Sequence, residues 1–352
     1  MALFPTAPVR VGLLFDFPSA DGGADMEAAL RRGVAEAAAG GRFDRELEFL
    51  RAEATGLPIG TEHAVVGGFQ DLERAGCLAI IGPAISDNGL IVAPLADEAE
   101  LVCINYTGGE RTRGQYGFHY QVGSLEEEPV LLAQRLAARG LHRPAVIFER
   151  SPVGRRYFEN FEASTDAAGL EVAGTATISP VTEDVVATLG RLRAAEPDGL
   201  VYLGLGMSSR PVALGLAQLG WDVPVVANSA LMFGYMRPDW RDGWAGWEYV
   251  DIIADDNERR RRLGEEAPQM AAGPMGCAAL DMGRLLGEAL ARADHLTRVG
   301  IHDALETVKR LPATCGHDGT TLTFGHFDHG ALHGEYLVLR TWVDGRTVQV
   351  PA

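Results

Sequence analysis

Residues 79–109, with the sequence AIIGPAISDNGLIVAPLADEAELVCINYTGG, decide the fold of this chain. Two short apolar runs, Leu78–Ile81 and Leu101–Ile104, have the length and composition of buried strands, and a helical pattern lies between them. Each run passes into glycine or polar residues. Because small ligands bind at the carboxyl ends of the strands in an open parallel sheet, this stretch predicts both a fold and a binding site.

The polar residues after the two runs are the first candidates for ligand contact. Ser86, Asp87 and Asn88 carry side chains that cap helices, so a helix N-terminus with free backbone N–H groups is predicted there. The second run is followed by an amide, a phenol and a hydroxyl at Asn105, Tyr106 and Thr107. We expect these groups to bind the polar head group of a small molecule.

Strand-like and helix-like runs alternate through most of the 352 residues. This alternation predicts an α/β fold with parallel sheets and helices on both faces. Single cores stop growing at roughly 250–300 residues, so the length predicts two lobes. Near the end, Thr320–Phe324 and Glu335–Val343, the latter followed by an Asp344–Gly345 turn, predict antiparallel strands.

The composition excludes several partners. Hydrophobic residues make up 47% and charged residues 22% of the chain, and the formal net charge is −17. This charge argues against binding to nucleic acid or to an anionic membrane surface. No run approaches the roughly 18–20 apolar residues of a membrane span. The start does not have the pattern of a secretory signal, which predicts a cytoplasmic location, or an extracytoplasmic one if a leader was removed.

The cysteines and histidines do not form a recognised site. The four cysteines lack a CxxC spacing and predict buried free thiols, although a pairing of Cys77 with Cys103 stays open. Histidines crowd the end of the chain beside Asp318 and Asp328, at His317, His326, His329 and His333. Their spacing offers ligand types but no known zinc pattern, so we expect no metal and no cofactor.

An enzyme is considered and is the weakest alternative. Gly204–Ser209 follows a strand and opens a helix, as a nucleotide-binding turn does, but it lacks the full glycine fingerprint. The chain has neither a GxSxG nucleophile elbow nor a GxxxxGK[ST] phosphate loop. We therefore predict no catalytic residues.

The order of motifs resembles that of the type I periplasmic binding proteins, in the leucine/isoleucine/valine-binding branch that serves ABC importers. The resemblance runs over nearly the whole chain. It rests on GVAEAAAGG (33–41), IGPAIS (81–86) with the segment that follows it, AVIFERSPVGRR (145–156), AAEPDGLVYLGLG (194–206) and FDHGALHGEYLVLR (327–340).

The resemblance implies two Rossmann-like lobes with parallel sheets, joined by three crossovers and enclosing a ligand cleft. The implied N-terminal lobe is residues 1–121 with 253–328, and the C-terminal lobe is 122–252 with 329–352. The crossovers are expected near 121–124, 250–253 and 327–330, with hinge positions at Gly123, Asp251 and Asp328.

The resemblance also implies a division of labour in the binding site. In such amino-acid binders, hydroxyls and backbone N–H groups of one lobe hold the ligand carboxylate, and an acid and aromatic groups of the other hold the ammonium. Ser86 matches the family's serine and Thr107 its threonine, with Asn105 and Tyr106 alongside.

The second lobe departs from this pattern. Val153 stands where the family has an aromatic residue, Met207 follows the strand where an aromatic or polar side chain is common, and residues 228–235 contain no acid. Either Glu149 or Asp16 replaces the missing acid, or the ligand lacks an amine and contacts apolar side chains. The remaining candidates are Ser151, Gly206 and Ser229 near the strand ends, and the aromatic residues Phe17, Tyr106 and Phe233.

These implications predict a non-catalytic solute-binding protein that closes on a small molecule bearing a carboxylate or an amide. The ligand is an amino acid or a related acid, which includes aromatic acids, and the protein partners are ABC permease subunits. The alternative is a cytoplasmic sensor of amides or small acids that passes its ligand state to a partner protein.

Overall fold

The computed structural model describes residues 7–18, 23–39 and 41–351. The chain forms two compact units. The first unit comprises the described residues up to Val122 together with Ile253–Tyr336, and the second comprises Gly123–Ile252 and the chain from Leu337 onward. No helix in the described residues is both long and apolar enough to span a membrane.

The first unit is built on a parallel five-stranded sheet with the order β2-β1-β3-β4-β5. Its strands are β1 (Val9–Phe15), β2 (Leu47–Glu53), β3 (Ala79–Ile81), β4 (Val102–Asn105) and β5 (Gly117–His119), and its first helices are α1 (Ala24–Ala38), α2 (Glu62–Arg74) and α3 (Ser86–Glu98). Every residue of β3 and β4 is buried, as expected for strands covered on both faces.

The second unit contains a seven-stranded sheet with the order β15-β14-β10-β9-β8-β6-β7. Its parallel strands are β6 (Pro144–Glu149), β7 (Gly174–Ile178), β8 (Gly199–Leu203), β9 (Val225–Ala227) and β10 (Glu248–Asp251). Its helices are α4 (Glu128–Ala138), α5 (Pro152–Ala168), α6 (Val186–Arg193), α7 (Ser209–Leu219) and the short α8 (Phe233–Met236).

The chain then returns to the first unit before it completes the second. The returning elements are the helices α9 (Glu258–Glu266), α10 (Pro268–Ala271), α11 (Pro274–Arg292) and α12 (Arg298–Glu306) and the short antiparallel strands β11 (Leu311–Pro312), β12 (Thr321–Leu322) and β13 (Leu332–His333). Helix α11 packs closely on α1. The close approach is possible because Gly33 has no side chain, and a Cβ there would lie 2.2 Å from the carbonyl oxygen of Leu280.

The last strands, β14 (Val338–Val343) and β15 (Arg346–Gln349), form an antiparallel hairpin at the edge of the second sheet. Asp344 and Gly345 between them both have positive φ angles, 48° and 74°, as a tight type I′ turn requires. The predicted α/β fold and the predicted antiparallel strands at the end of the chain are therefore confirmed.

The boundaries of the units differ from the predicted crossovers at one place. The chain changes unit between Val122 and Gly123 and between Ile252 and Ile253, but the third change comes after Tyr336 and not at 327–330. Leu332 stays with the first unit because its backbone exchanges two hydrogen bonds with the side chain of Gln121, at 2.9 and 3.2 Å.

The three predicted hinge residues have different surroundings. Gly123 is the first residue of the second unit. Asp251 is buried at the end of β10, and its carboxylate accepts hydrogen bonds from Tyr235 (2.8 Å) and the amide of Ile252 (2.7 Å). Asp328 lies inside the first unit, where it forms an ion pair with Arg113 at 3.1 Å, so its predicted place at a crossover is corrected.

All four cysteines are free and buried, which confirms the prediction of free thiols and leaves Cys77 and Cys103 unpaired. Burial raises the pKa of the Cys77 thiol to about 11. Buried thiols of this kind behave as small apolar side chains.

Candidate ligand-binding site

In each unit the strand order reverses once, at a position called the switch point. Most of the predicted site residues lie near one of these two switch points. In the first unit β1 neighbours β3, so Asp16 after β1 lies beside the loop that leads from β3 into α3. In the second unit β6 neighbours β8, so Glu149 at the end of β6 lies beside the loop 204–208. Switch points of open α/β sheets are the usual places for ligands.

The Asp16 carboxylate is buried against the start of α3. It accepts hydrogen bonds from the backbone N–H groups of Ala84 (2.8 Å) and Ile85 (3.0 Å) and from Nδ2 of Asn88 (2.7 Å). Ile85 is the N-cap, so Ser86 and Asn88 lie in the first turn, and the N-cap residue makes no side-chain cap hydrogen bond. Protein donors bond to both oxygens of Asp16, and its contact with a ligand ammonium group stays a prediction.

Asn105 and Thr107 are bonded to each other and to Thr112, which the sequence did not single out. Asn105 Oδ1 accepts hydrogen bonds from both threonine hydroxyls, at 3.0 Å each. Its Nδ2 donates to the carbonyls of Thr112 (3.2 Å) and Phe118 (3.0 Å). The Thr107 hydroxyl also accepts the amide of Gly109 at 3.3 Å. These groups hold the loop after β4 in place, and their contact with the ligand stays a prediction.

Ser86 is the predicted residue whose donors stay available. Neither its amide nor its hydroxyl has a hydrogen-bond partner in the described part of the chain. A Cβ at Gly109 would lie 3.3 Å from Ser86 Oγ, so the glycine leaves space beside this hydroxyl. Tyr106 is joined to the same loop by a hydrogen bond from its amide to the carbonyl of Pro83 (3.1 Å), and Phe17 is partly exposed after β1.

Glu149 repeats in the second unit what Asp16 does in the first. It is completely buried and accepts hydrogen bonds from the Tyr202 hydroxyl (2.6 Å) and the amide of Leu205 (2.6 Å). It also accepts the amide (2.9 Å) and the hydroxyl (2.8 Å) of Ser208. Four protein donors surround this carboxylate, and the contact of Glu149 with a ligand ammonium group stays a prediction.

Two other predicted residues support α5. The Ser151 hydroxyl accepts the amide of Gly154 at 3.0 Å and caps the helix. Val153 is buried in an apolar cluster of the second unit. Both residues therefore stabilise local structure, and their contact with the ligand stays a prediction.

The loop after β8 leaves some apolar surface at the strand ends. Gly206 has φ +98°, and a Cβ there would lie 2.4 Å from the carbonyl oxygen of Ala230, so only glycine fits. Met207 and Phe233 remain partly exposed, and the ring of Phe233 stacks on Trp240 with a centroid distance of 5.9 Å. These two side chains retain the predicted capacity for apolar contact.

Ser229 is bonded to Glu128, a buried acid that sequence reasoning missed. Glu128 accepts the amide (2.6 Å) and the hydroxyl (3.0 Å) of Ser229, the amide of Ser124 (2.6 Å) and the hydroxyl of Tyr157 (3.0 Å). The only local signal was its position just before Pro129, at the start of α4. Ser229 therefore joins two loops of the second unit and is not a free donor.

The Glu128 carboxyl makes the stability of the protein depend on pH. Burial raises its pKa from 4.5 to about 7. Between these values the folded protein binds more protons than the unfolded chain, so this group lowers the free energy of unfolding as the pH rises from 4.5 to about 7. In urea titrations across this interval, we expect the parent to lose about 3 kcal/mol relative to Glu128→Gln.

The matched control for this experiment is Glu171→Gln, because the Glu171 side chain is 80% exposed. Its unfolding free energy should follow that of the parent at every pH. Parallel pH curves for the parent and Glu128→Gln would contradict the prediction, because Glu128 would then have the same pKa in the folded and unfolded states.

Comparison with known proteins places these features in one family. A family model described as periplasmic binding protein matches residues 8–337. No curated protein sequence matches the chain. A periplasmic binding protein type 1 from Bordetella pertussis Tohama I shares the fold with a TM-score of 0.83 at 16% identity, over 98% of this chain and 100% of that chain.

Two further solved structures have the same fold. One is an ABC transporter substrate-binding protein from Desulfitobacterium hafniense in complex with Leu, with a TM-score of 0.77, 18% identity and coverage of 98% of this chain and 100% of that chain. The other is a leucine binding protein from Thermotoga maritima MSB8, with a TM-score of 0.79, 13% identity and coverage of 97% and 98%. Since the family model spans most of the sequence, this chain belongs to the periplasmic binding protein family, as its motifs predicted.

Proposed function

We propose that this protein is a non-catalytic solute-binding protein that binds a small organic molecule through a carboxylate or an amide group. The observation that carries the proposal is the free amide and hydroxyl of Ser86 at the start of α3, at the switch point of the first sheet. A helix N-terminus favours an oxygen that carries negative charge, and both donors of Ser86 suit such an oxygen.

The ligand class follows from the acids at the strand ends. Asp16 and Glu149 were the candidates to hold an ammonium group, and both are surrounded by protein donors. A ligand amine beside either residue would compete with backbone N–H groups for the same oxygens. The proposal therefore favours a carboxylic acid or an amide without an amine over an ordinary amino acid, with Phe17 of the first unit as an apolar contact.

The proposed partners are the permease subunits of an ABC importer. The support is that two of the solved structures with this fold are a substrate-binding protein of an ABC transporter and a leucine binding protein. The proposed absence of catalysis has a direct test, because a ligand incubated with the protein should be recovered unchanged. A time-dependent change in its mass would identify an enzyme.

A panel of matched ligands tests the proposed class. Each amino acid in the panel is paired with the acid and the amide that lack its α-amine, such as leucine with 4-methylpentanoic acid and 4-methylpentanamide. We expect at least one amine-free compound to raise the melting temperature, because a ligand at 100 times its Kd adds about 2.7 kcal/mol to stability. Stabilisation by amino acids alone would overturn the preference for a ligand without an amine.

The substitution Ser86→Ala tests the site itself. It removes one hydrogen bond to the head group, and for a charged oxygen we expect affinity to fall roughly 10- to 100-fold with little change in the stability of the free protein. Ser164→Ala is the matched control, since the Ser164 hydroxyl bonds only the carbonyl of Asn160 one turn earlier in its own helix. Unchanged affinity in Ser86→Ala would place the site elsewhere.

A further inference from the structure

A cluster of two histidines and a glutamate in the first unit lies apart from the proposed ligand site. His302 and Glu306 are one turn apart on α12, and His329 comes from the segment between β12 and β13. One ligand atom from each of the three side chains lies within 4.8 Å of the other two. Glu306 Oε1 is 3.6 Å from His302 Nε2 and 3.3 Å from His329 Nε2.

The hydrogen bonds behind the two imidazoles point their Nε2 atoms toward Glu306. His329 Nδ1 lies 2.8 Å from the carbonyl oxygen of Gly114, which can only accept, so Nδ1 carries the proton. His302 Nδ1 lies 2.9 Å from the carboxylate of Asp303. In the tautomer with Nδ1 protonated, each ring would offer its Nε2 lone pair to a cation, and metal-binding histidines are commonly held by such partners.

A fourth acceptor completes the group. The carbonyl oxygen of Gln115 lies 3.0 Å from His302 Nε2. With Nδ1 protonated, a neutral His302 would set two lone pairs against each other here, and His329 Nε2 would face the Glu306 oxygen in the same way. Without a metal, a proton on His302 Nε2 bonds to the Gln115 carbonyl, and a cation that replaced this proton would be shared by these atoms.

The distances fit one shared cation. Metal–ligand bonds of about 2.0–2.1 Å in a tetrahedral site place neighbouring ligand atoms about 3.3–3.4 Å apart. The measured separations of 3.0, 3.3 and 3.6 Å lie on both sides of that value. The ligand atoms of His302 and His329 also lie within 4.8 Å of each other.

Both imidazole rings are held in place by aromatic neighbours. His329 stacks on Phe118 with a centroid distance of 4.0 Å, and His302 packs against Tyr116 at 4.6 Å. Both histidines are buried, so the rings have little freedom to turn away. A fixed ring orientation favours binding, because a preorganised ligand loses little entropy when the cation arrives.

The second oxygen of the Glu306 carboxylate also has a partner in the first unit. Glu306 Oε2 lies 2.9 Å from Nδ1 of the exposed His326. This contact on Oε2 leaves Oε1 facing the Nε2 atoms of His302 and His329.

We propose that His302, Glu306 and His329, with the carbonyl oxygen of Gln115, form a binding site for a divalent transition metal, with Zn²⁺ as the preferred ion. Two imidazoles and two oxygens suit zinc and its neighbours in the first transition row better than Mg²⁺ or Ca²⁺. The metal would link α12, the turn before β5 and the β12–β13 segment. The sequence predicted no metal, because the histidines that it groups are His317, His326, His329 and His333, which have no known zinc spacing. In the structure, His329 lies instead beside His302 and Glu306.

Metal titration of tag-free protein that has been treated with a chelator tests the proposal. We expect about one equivalent of Zn²⁺ to bind and to raise the melting temperature by roughly 5 °C at saturation. Co²⁺ should bind in its place and give the strong visible absorption of a tetrahedral site. The measurement needs no organic ligand, so its outcome is independent of the proposed solute-binding function.

Variants locate the metal. His302→Gln and His329→Gln should lose the zinc-dependent rise in melting temperature while far-UV circular dichroism shows that they are folded. His63→Gln is the control, since His63 is exposed on α2, and it should bind zinc as the parent does.

If a histidine variant does not fold, Glu306→Gln tests the same site, because an amide there removes the charged ligand. Equal zinc binding by the parent and these variants would overturn the proposal. It would also be overturned if ¹⁵N spectra showed both rings of His302 and His329 still doubly protonated with stoichiometric zinc present, because the cluster would then be an ion-pair network.

Discussion

The substitution Glu149→Ala is expected to destabilise the second unit by about 4 kcal/mol or more. It leaves three donors without an acceptor, the amides of Leu205 and Ser208 and one hydroxyl, because the hydroxyls of Tyr202 and Ser208 lie 3.0 Å apart and can bond to each other. Each such group costs roughly 1–3 kcal/mol when water cannot replace the lost partner. Urea unfolding, followed by the fluorescence of the buried tryptophans Trp244 and Trp247 in this unit, measures the loss.

Two further variants test whether the loss of stability comes from the hydrogen bonds of Glu149. Glu149→Gln keeps one carbonyl oxygen but sets an NH₂ group against the amide of Leu205, so we expect a loss between those of the parent and Glu149→Ala. Glu183→Ala, at an exposed position of the same unit, should change little. If Glu149→Ala were as stable as the parent and only ligand binding suffered, Glu149 would be a binding residue after all.

The substitution Asp16→Ala should lower the stability of the first unit by about 3 kcal/mol and abolish ligand binding as well. It removes the acceptor of the amides of Ala84 and Ile85 and of the Asn88 side chain. Because these groups fix the start of α3, the loss also displaces Ser86, which is the next residue. Denaturant unfolding and a ligand titration of the same sample measure both effects.

Asp71→Ala is the matched control, because Asp71 is exposed and forms only an ion pair with Arg74 on α2. Such surface pairs contribute about 0–1 kcal/mol. The informative contrast is with Asp16→Asn, which puts a donor where Ile85 and Asn88 already donate. If Asp16→Asn lost affinity without losing stability, Asp16 would contact the ligand directly.

The fold was predictable because its signals are local. The predicted strand Leu78–Ile81 is β3 at Ala79–Ile81, and Leu101–Ile104 is β4 at Val102–Asn105. Strands of a parallel sheet are covered on both faces and therefore read as continuous apolar runs between glycines and polar turns. The same kind of signal located Ser86, because a turn followed by a helical pattern marks a helix start.

The roles of Asp16 and Glu149 could not be predicted from local sequence patterns. An acid after a strand looks the same in sequence whether it faces a ligand or the backbone amides of a neighbouring loop. Which neighbour it meets depends on the order of the strands, and that order pairs β1 with β3 and β6 with β8. Glu128 and Thr112 were missed for the same reason, since their partners lie far away in the sequence or in an irregular turn.

The cluster of His302, Glu306 and His329 shows most clearly what a sequence pattern cannot predict. The patterns used for metal sites require short spacings, and His329 lies far from His302 along the chain. Their approach depends on how α12 packs beside the segment between β12 and β13. A spacing rule could only have paired His302 with Glu306. Residues one turn apart are neighbours on any helix, so this pair alone does not indicate a metal site.

The buried Asp16 also decides what charge the first unit tolerates. Burial raises the pKa of this carboxyl, but its three neighbours are all donors and hydrogen-bond to its ionised form. This ionised form neutralises in part the positive end of the α3 dipole before any ligand arrives. A phosphate or a dicarboxylate would meet this negative charge next to the residue that precedes Ser86. The proposed site should consequently favour a monocarboxylate or an amide over such multiply charged anions.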